Sequence, residues 1–196
     1  MLKRRVARWL WRLSGWTMTG EPPGPDESAI LVGAPHTSNW DYVIMLLVVW
    51  QCDFPVRFLV KKEAFRGPIG WLMRKTGGIA VDRENPGGLA RALVAQAHAS
   101  VRNGESFILI VTPEGTRTRT EYWKSGFYRI ARDSGLPLLL GYLDGPSHSA
   151  GFGLRLKLTA DVRADMDQVR AYYADKHGVR PARRTEPRLR EESASA

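Results

Sequence analysis

Short apolar runs alternate with longer stretches of helical periodicity from residue 29 to residue 175, and that alternation restricts the chain to few folds. Residues 29–33, 56–60, 78–82, 107–112, 137–143 and 154–159 have the length and composition of strands. Residues 41–51, 67–75, 88–103, 124–134 and 165–175 have those of helices. Strands separated by helices pair in parallel, because each helix carries the chain back across a face of the sheet. The expected fold is therefore a single α/β domain with a central, largely parallel sheet flanked by helices. A chain of 196 residues is long enough to bury such a core.

The two ends depart from this pattern. Lys3, Arg4, Arg5, Arg8 and Arg12 contribute +5 of the net charge of +9. Wound as a helix, residues 1–16 place Arg4, Arg5, Arg8 and Arg12 on one face, while Leu2, Val6, Trp9, Leu10, Leu13 and Trp16 share an arc of roughly 120° opposite. Such a helix suits the headgroup level of a membrane. It equally suits packing on its own domain with the arginines in water. No apolar run approaches the roughly 18–20 residues of a membrane span, the longest being residues 42–50. The expectation is a protein that lies on the cytoplasmic face of a membrane, held through residues 1–16. A nucleic-acid partner is not expected, since its basic residues would be interleaved with aromatics across a face. Residues 1–20 thus read as an amphipathic interface helix, the turn-rich EPPGPDES (21–28) as a linker, and 29–177 as the domain. Residues 178–196 are charged and poor in large apolar side chains, which predicts disorder. A single cysteine, Cys52, excludes a disulfide framework and fits a reducing compartment. No Cys/His cluster has zinc-ligand spacing, so no metal is expected.

In parallel α/β sheets, ligands bind beyond the carboxyl ends of the strands. Three polar clusters fall there. The first, PHTSNWD (35–41), sets His36 and Asp41 five residues apart; on one continuous helix they would point about 140° apart. They meet only if the backbone turns between them, and Thr37-Ser38-Asn39 supplies turn and N-cap chemistry. An imidazole oriented by a carboxylate is what a general base needs, although the same spacing also arises by chance. The second cluster ends in Arg83, a phosphate ligand or simply a surface arginine beside Asp82. In the third, TPEGTRTR (112–119), Gly115 allows close approach of a ligand while Thr116 and Arg117 can hold a phosphate. Alternatively, Glu114 and Arg117 form an internal salt bridge. Lys61, with Lys62, is a further cation for the phosphate or a solvated lysine. There is no G-x-S-x-G elbow and no Walker loop, and Gly151-Phe152-Gly153 lacks the third glycine of a dinucleotide site. Without a nucleophile, a His–Asp pair beside arginines suggests direct transfer. The base would deprotonate an acceptor hydroxyl, which then attacks an activated carbonyl.

Taken in order, these clusters resemble the four blocks of the glycerolipid acyltransferases of the lysophosphatidic acid acyltransferase type, over residues 29–144. His36 and Asp41 match the H-x-x-x-x-D block, residues 77–83 (GGIAVDR) the second, 113–117 (PEGTR) the third, and 136–140 (LPLLL) the fourth. The stretches VKKEAF (60–65) and WKSG (123–126) are also similar. Pro35 stands where the family often has asparagine, and Ala80 where it usually has an aromatic. The resemblance implies a glycerol-phosphate-acyltransferase-like fold and O-acyltransferase activity. His36 would be the general base, oriented by Asp41. The acceptor's phosphate would be bound by Arg83, Glu114, Gly115, Thr116 and Arg117, with Lys61 on the same side. The co-substrate would be acyl-CoA or an acyl carrier protein, with no metal, cofactor or covalent intermediate. The implied acceptor is a lysophospholipid such as lysophosphatidic acid. A non-phosphorylated lipid or amine acceptor, or a non-catalytic lipid-binding role, are the competing readings.

Overall fold

The computed structural model describes residues 2–81, 86–159 and 161–193. Its strands are β1 (Thr17–Thr19), β2 (Ala29–Ala34), β3 (Arg57–Lys61), β4 (Gly78–Val81), β5 (Ile108–Val111), β6 (Leu138–Asp144) and β7 (Ser149–Leu156). They form one sheet in the order β1-β7-β6-β2-β5-β3-β4, parallel throughout except for the antiparallel pair β6–β7. The helices are α1 (Leu2–Ser14), α2 (Trp40–Cys52), α3 (Gly67–Lys75), α4 (Pro86–Arg102), α5 (Gly126–Ser134) and α6 (Val162–Tyr173). The expected α/β architecture is present.

β2 and β5 lie in the middle of the sheet with both faces covered, which is why they read as unbroken apolar runs rather than alternating ones. Successive residues feed opposite layers. Ile30, Val32 and Leu109 pack with α4, α5 and α6, whereas Leu31, Ile108 and Ile110 pack with α1 and α2. Register brings the carboxyl ends together: Val32 pairs with Val111 on one side and with Leu140 on the other. The loops after β2, β5 and β6 therefore leave the same edge as neighbours.

α1 packs on the domain and still leaves most of its apolar arc exposed. It docks on the domain through Ala7 and Trp11, which belong neither to the arginine face nor to the apolar arc. Leu2, Val6, Trp9, Leu10 and Leu13 stay exposed, Trp9 at 61% and Leu13 at 66%. Trp16 falls beyond the helix and stacks on His148. Among the described residues no helix is long and apolar enough to cross a membrane.

The last strand is misplaced by the sequence pattern, which put it at 154–159. It runs over Ser149–Leu156 and forms a hairpin with β6. Gly151 and Gly153 both lie within it. Both are there because neighbours fill the space of a side chain: a Cβ at Gly151 would stand 2.3 Å from the Thr19 carbonyl oxygen, and one at Gly153 would stand 2.1 Å from the Tyr172 ring.

Residues 178–193 are also not a loose tail. Leu189 and Thr185 are buried, and Arg184 donates to the carbonyls of Tyr173 and Lys176 at the end of α6. Arg170 of α6 bonds the Pro187 carbonyl and pairs with Glu192. Few apolar side chains are needed when arginines and backbone groups supply the contacts, and composition alone does not reveal this.

Candidate active site

The loop after β2 is wound around one carboxylate. Asp41, in the first turn of α2, points back out of the helix, and its Oδ2 accepts the Thr37 N–H at 2.8 Å and the Ser38 N–H at 2.9 Å. The same oxygen lies 2.9 Å from Nδ1 of His36. Asn39, at the cap position, makes no side-chain cap bond; Ser38 Oγ instead accepts the Trp40 N–H at 3.2 Å. The backbone turn thus brings together the two residues whose spacing would separate them on a helix. With Nδ1 donating to a buried carboxylate, Nε2 is left as the basic nitrogen of a partly exposed ring.

Glu114, expected among the phosphate ligands, faces elsewhere. It is only 3% exposed, and its Oε1 accepts the His36 N–H at 2.9 Å. Burial pushes its carboxyl up to about 7; the amides of His36 and of Glu114 itself pull it down, and nearby Asp41 pushes it further up. An inward-facing acid cannot hold a phosphate, and Glu114 makes no ion pair with Arg117 among the described residues. Its role is to tie the loop after β5 to the loop after β2. Glu114 Oε2 and Asp41 Oδ1 are each buried without a hydrogen-bond partner among the described residues.

The remaining expected ligands lie along the same edge. Gly115, at φ 64°, closes a tight turn with its N–H on the Thr112 carbonyl at 3.1 Å. A Cβ there would come within 3.0 Å of the Lys124 ammonium, so this lysine lies over the PEGTR turn. Thr116 shares a hydrogen bond of 3.1 Å with Thr118. Arg117 is exposed, as is Lys61 at the carboxyl end of β3. Arg83 lies outside the described residues. Sequence reasoning did not place Lys124 in the site, although the WKSG stretch that contains it was its one signal. Among the described residues, no group of three or more His, Cys, Asp or Glu side chains could hold a metal ion.

Beside the base loop lies an apolar hollow of about 300 Å³, with Trp11, Trp16, Trp40, Val43, Leu47 and Val179 among its walls. Trp40 immediately precedes Asp41 in sequence. Val179 follows Gly178, where a Cβ would stand 2.9 Å from Thr37 Oγ1. The hollow therefore adjoins the His36–Asp41 loop.

Comparison with known proteins bears on this arrangement. Residues 15–139 match the family model described as Acyltransferase. The chain is 33% identical over 149 residues to a 1-acyl-sn-glycerol-3-phosphate acyltransferase of Streptococcus pneumoniae (strain ATCC BAA-255 / R6), covering 74% of this chain and 53% of that one. It is 32% identical over 125 residues to a protein of the same description from Bacillus subtilis (strain 168), covering 63% and 59% respectively. It thus spans little more than half the length of these curated relatives. The fold is shared with the crystal structure of the 1-acyl-sn-glycerophosphate (LPA) acyltransferase, PlsC, from Thermotoga maritima, with a TM-score of 0.54 at 17% identity, over 88% of this chain and 74% of the other.

Proposed function

Because the chain belongs to the acyltransferase family, we propose that it moves a fatty acyl group from a thioester donor to the hydroxyl of a lysophospholipid such as lysophosphatidic acid. The observation that carries this reading is the His36–Asp41 pair, with its 2.9 Å contact at Nδ1 and its Nε2 free for a substrate proton. His36 Nε2 takes the proton of the acceptor hydroxyl as its oxygen attacks the thioester carbonyl. The new C–O bond forms, the C–S bond breaks, and the departing thiolate recovers the proton from the imidazolium. Asp41 holds the ring in the required tautomer and stabilises its charge.

Arg117 and Thr116 in the Gly115 turn, with Lys124 and Lys61 along the same edge, supply cations and a donor for the acceptor's phosphate. The resemblance of residues 77–83 to the family's second block adds Arg83 to this set. The descriptions carried by the curated relatives support a phosphorylated glycerolipid as acceptor. Acyl-CoA or acyl carrier protein serves as donor, and the apolar hollow beside the base suits a fatty chain. The exposed arc of α1, with arginines on its flank, supports a lipid surface as the place where the chain meets both amphiphiles.

The test is to incubate the purified chain with a panel of lysolipids and either acyl-CoA or acyl carrier protein, and to identify products by mass. Acylation of a phosphorylated lysolipid is expected. Acylation confined to acceptors without phosphate would overturn the phosphate assignment. Lipid binding without turnover would mean a non-catalytic protein of the same fold.

A further inference from the structure

The segment after α6 lies beyond the stretch matched by the family model, which ends at residue 139. It nevertheless crosses the edge of the sheet that carries the base. Tyr173, buried at the end of α6, sets its hydroxyl 2.9 Å from the carbonyls of both Val32 and Gly141, bridging β2 and β6. The His177 N–H then donates to Asp144 Oδ1 at 2.7 Å, at the carboxyl end of β6. At Gly178, φ 74°, the chain turns against Thr37, and the Arg180 N–H donates to Thr37 Oγ1 at 2.9 Å. Further on, Thr185 Oγ1 accepts the Thr120 N–H at 3.0 Å, and the Arg188 carbonyl accepts the Trp123 N–H at 2.8 Å. One continuous segment is thus bonded to the loops that follow β2, β6 and β5.

Thr37 is where this segment meets the base. It is 1% exposed, its hydroxyl receives the Arg180 amide, and its own amide is one of the donors on Asp41 Oδ2. We propose that residues 177–189 form a strap that positions the general base, acting from the Arg180 amide through Thr37 to Asp41 and so to His36. Thr37 is a positioning residue: it touches neither substrate nor the reacting atoms. The loop after β2 has no regular structure of its own between Ala34 and Trp40. Its conformation rests on donors that converge on Asp41, and the strap supplies a contact from outside the loop. The inference rests on the reading of His36 as base.

The experiment uses the full chain. Thr37→Val keeps the shape of the side chain and removes the acceptor; Thr37→Ser keeps the acceptor. Thr37→Val is expected to lower kcat about tenfold through misplacement of the base, with KM for either substrate within about twofold. Deuterium exchange of the amides of residues 36–38 should speed up, and Thr37→Ser should restore both readouts. Gly178→Ala, which presses on Thr37 from the strap and leaves the loop sequence intact, should act in the same direction. In an Asp41→Asn background Thr37→Val should add little, because the strap works through Asp41. Wild-type kcat and exchange in Thr37→Val, or an effect on KM alone, would overturn the proposal. Losses that multiply fully in the Asp41→Asn background would also overturn it. If the wild-type protein transfers no acyl group, the functional reading fails, and the exchange comparison alone decides whether the strap holds the loop.

Discussion

Replacing Glu114 by glutamine removes a buried acid while keeping an acceptor for the His36 amide. Burial lifts this carboxyl from 4.5 to about 7. At about 1.4 kcal/mol per pH unit, ionising it in the folded protein costs about 3 kcal/mol more than in the unfolded chain. Between those two values the folded state binds more protons than the unfolded one, so the wild-type protein loses stability as pH rises through that window. Below it both states are protonated and nothing is lost; above it the full cost is present. Glutamine has no proton to lose. The stability of Glu114→Gln relative to wild type should therefore be flat at low pH, climb between about pH 4.5 and 7, and level off about 3 kcal/mol higher. For a chain of this size that is a change of roughly 6–12 °C in the difference between the two Tm values. Thermal unfolding followed by circular dichroism from about pH 3.5 to 8.5 measures it. KM for a phosphorylated acceptor should stay unchanged, since Glu114 faces His36. Parallel pH profiles for the two proteins would refute the argument from burial, and a large rise in acceptor KM would return Glu114 to the phosphate site.

His36→Ala should lower kcat by at least about 10² in a protein with wild-type circular dichroism, and wild-type turnover would remove His36 as base. Arg117→Gln should weaken use of a phosphorylated acceptor by about 1.5–3 kcal/mol, read as acceptor KM, and affect an acceptor without phosphate much less. A change confined to donor KM would assign this arginine to the other substrate. Exchanging exposed Trp9 and Leu13 together for serine should release the protein from anionic vesicles with little change in Tm, because neither side chain packs in the core. High salt should weaken wild-type binding without abolishing it, and undiminished sedimentation of the double variant would mean that α1 serves the domain alone.

Much of the site was legible from short-range signals. His36 and Asp41 stand in a stretch whose turn residues dictate that the backbone folds between them, and Gly115 marks a tight turn wherever its loop is placed. Strand and helix types followed from side-chain period, which is a local property. The family blocks added the expected order of these pieces along the chain.

Other features depended on contacts between distant segments. Glu114 reads in sequence as a neighbour of Arg117, but the pairing of Val32 with Val111 sets its loop beside His36, whose amide donates to the buried carboxylate while Arg117 stays exposed. The apolar arc of α1 is visible in sequence, whereas Ala7 and Trp11 become its docking face only where Trp11 joins side chains of β2, α2 and β7 from elsewhere in the chain. Residues 178–193 looked too polar to fold because their partners are backbone groups of remote loops. Local chemistry, repeated at fixed intervals, is written in the chain itself. Which groups end up buried together is decided by sheet register, and register is settled only when all the strands pack at once.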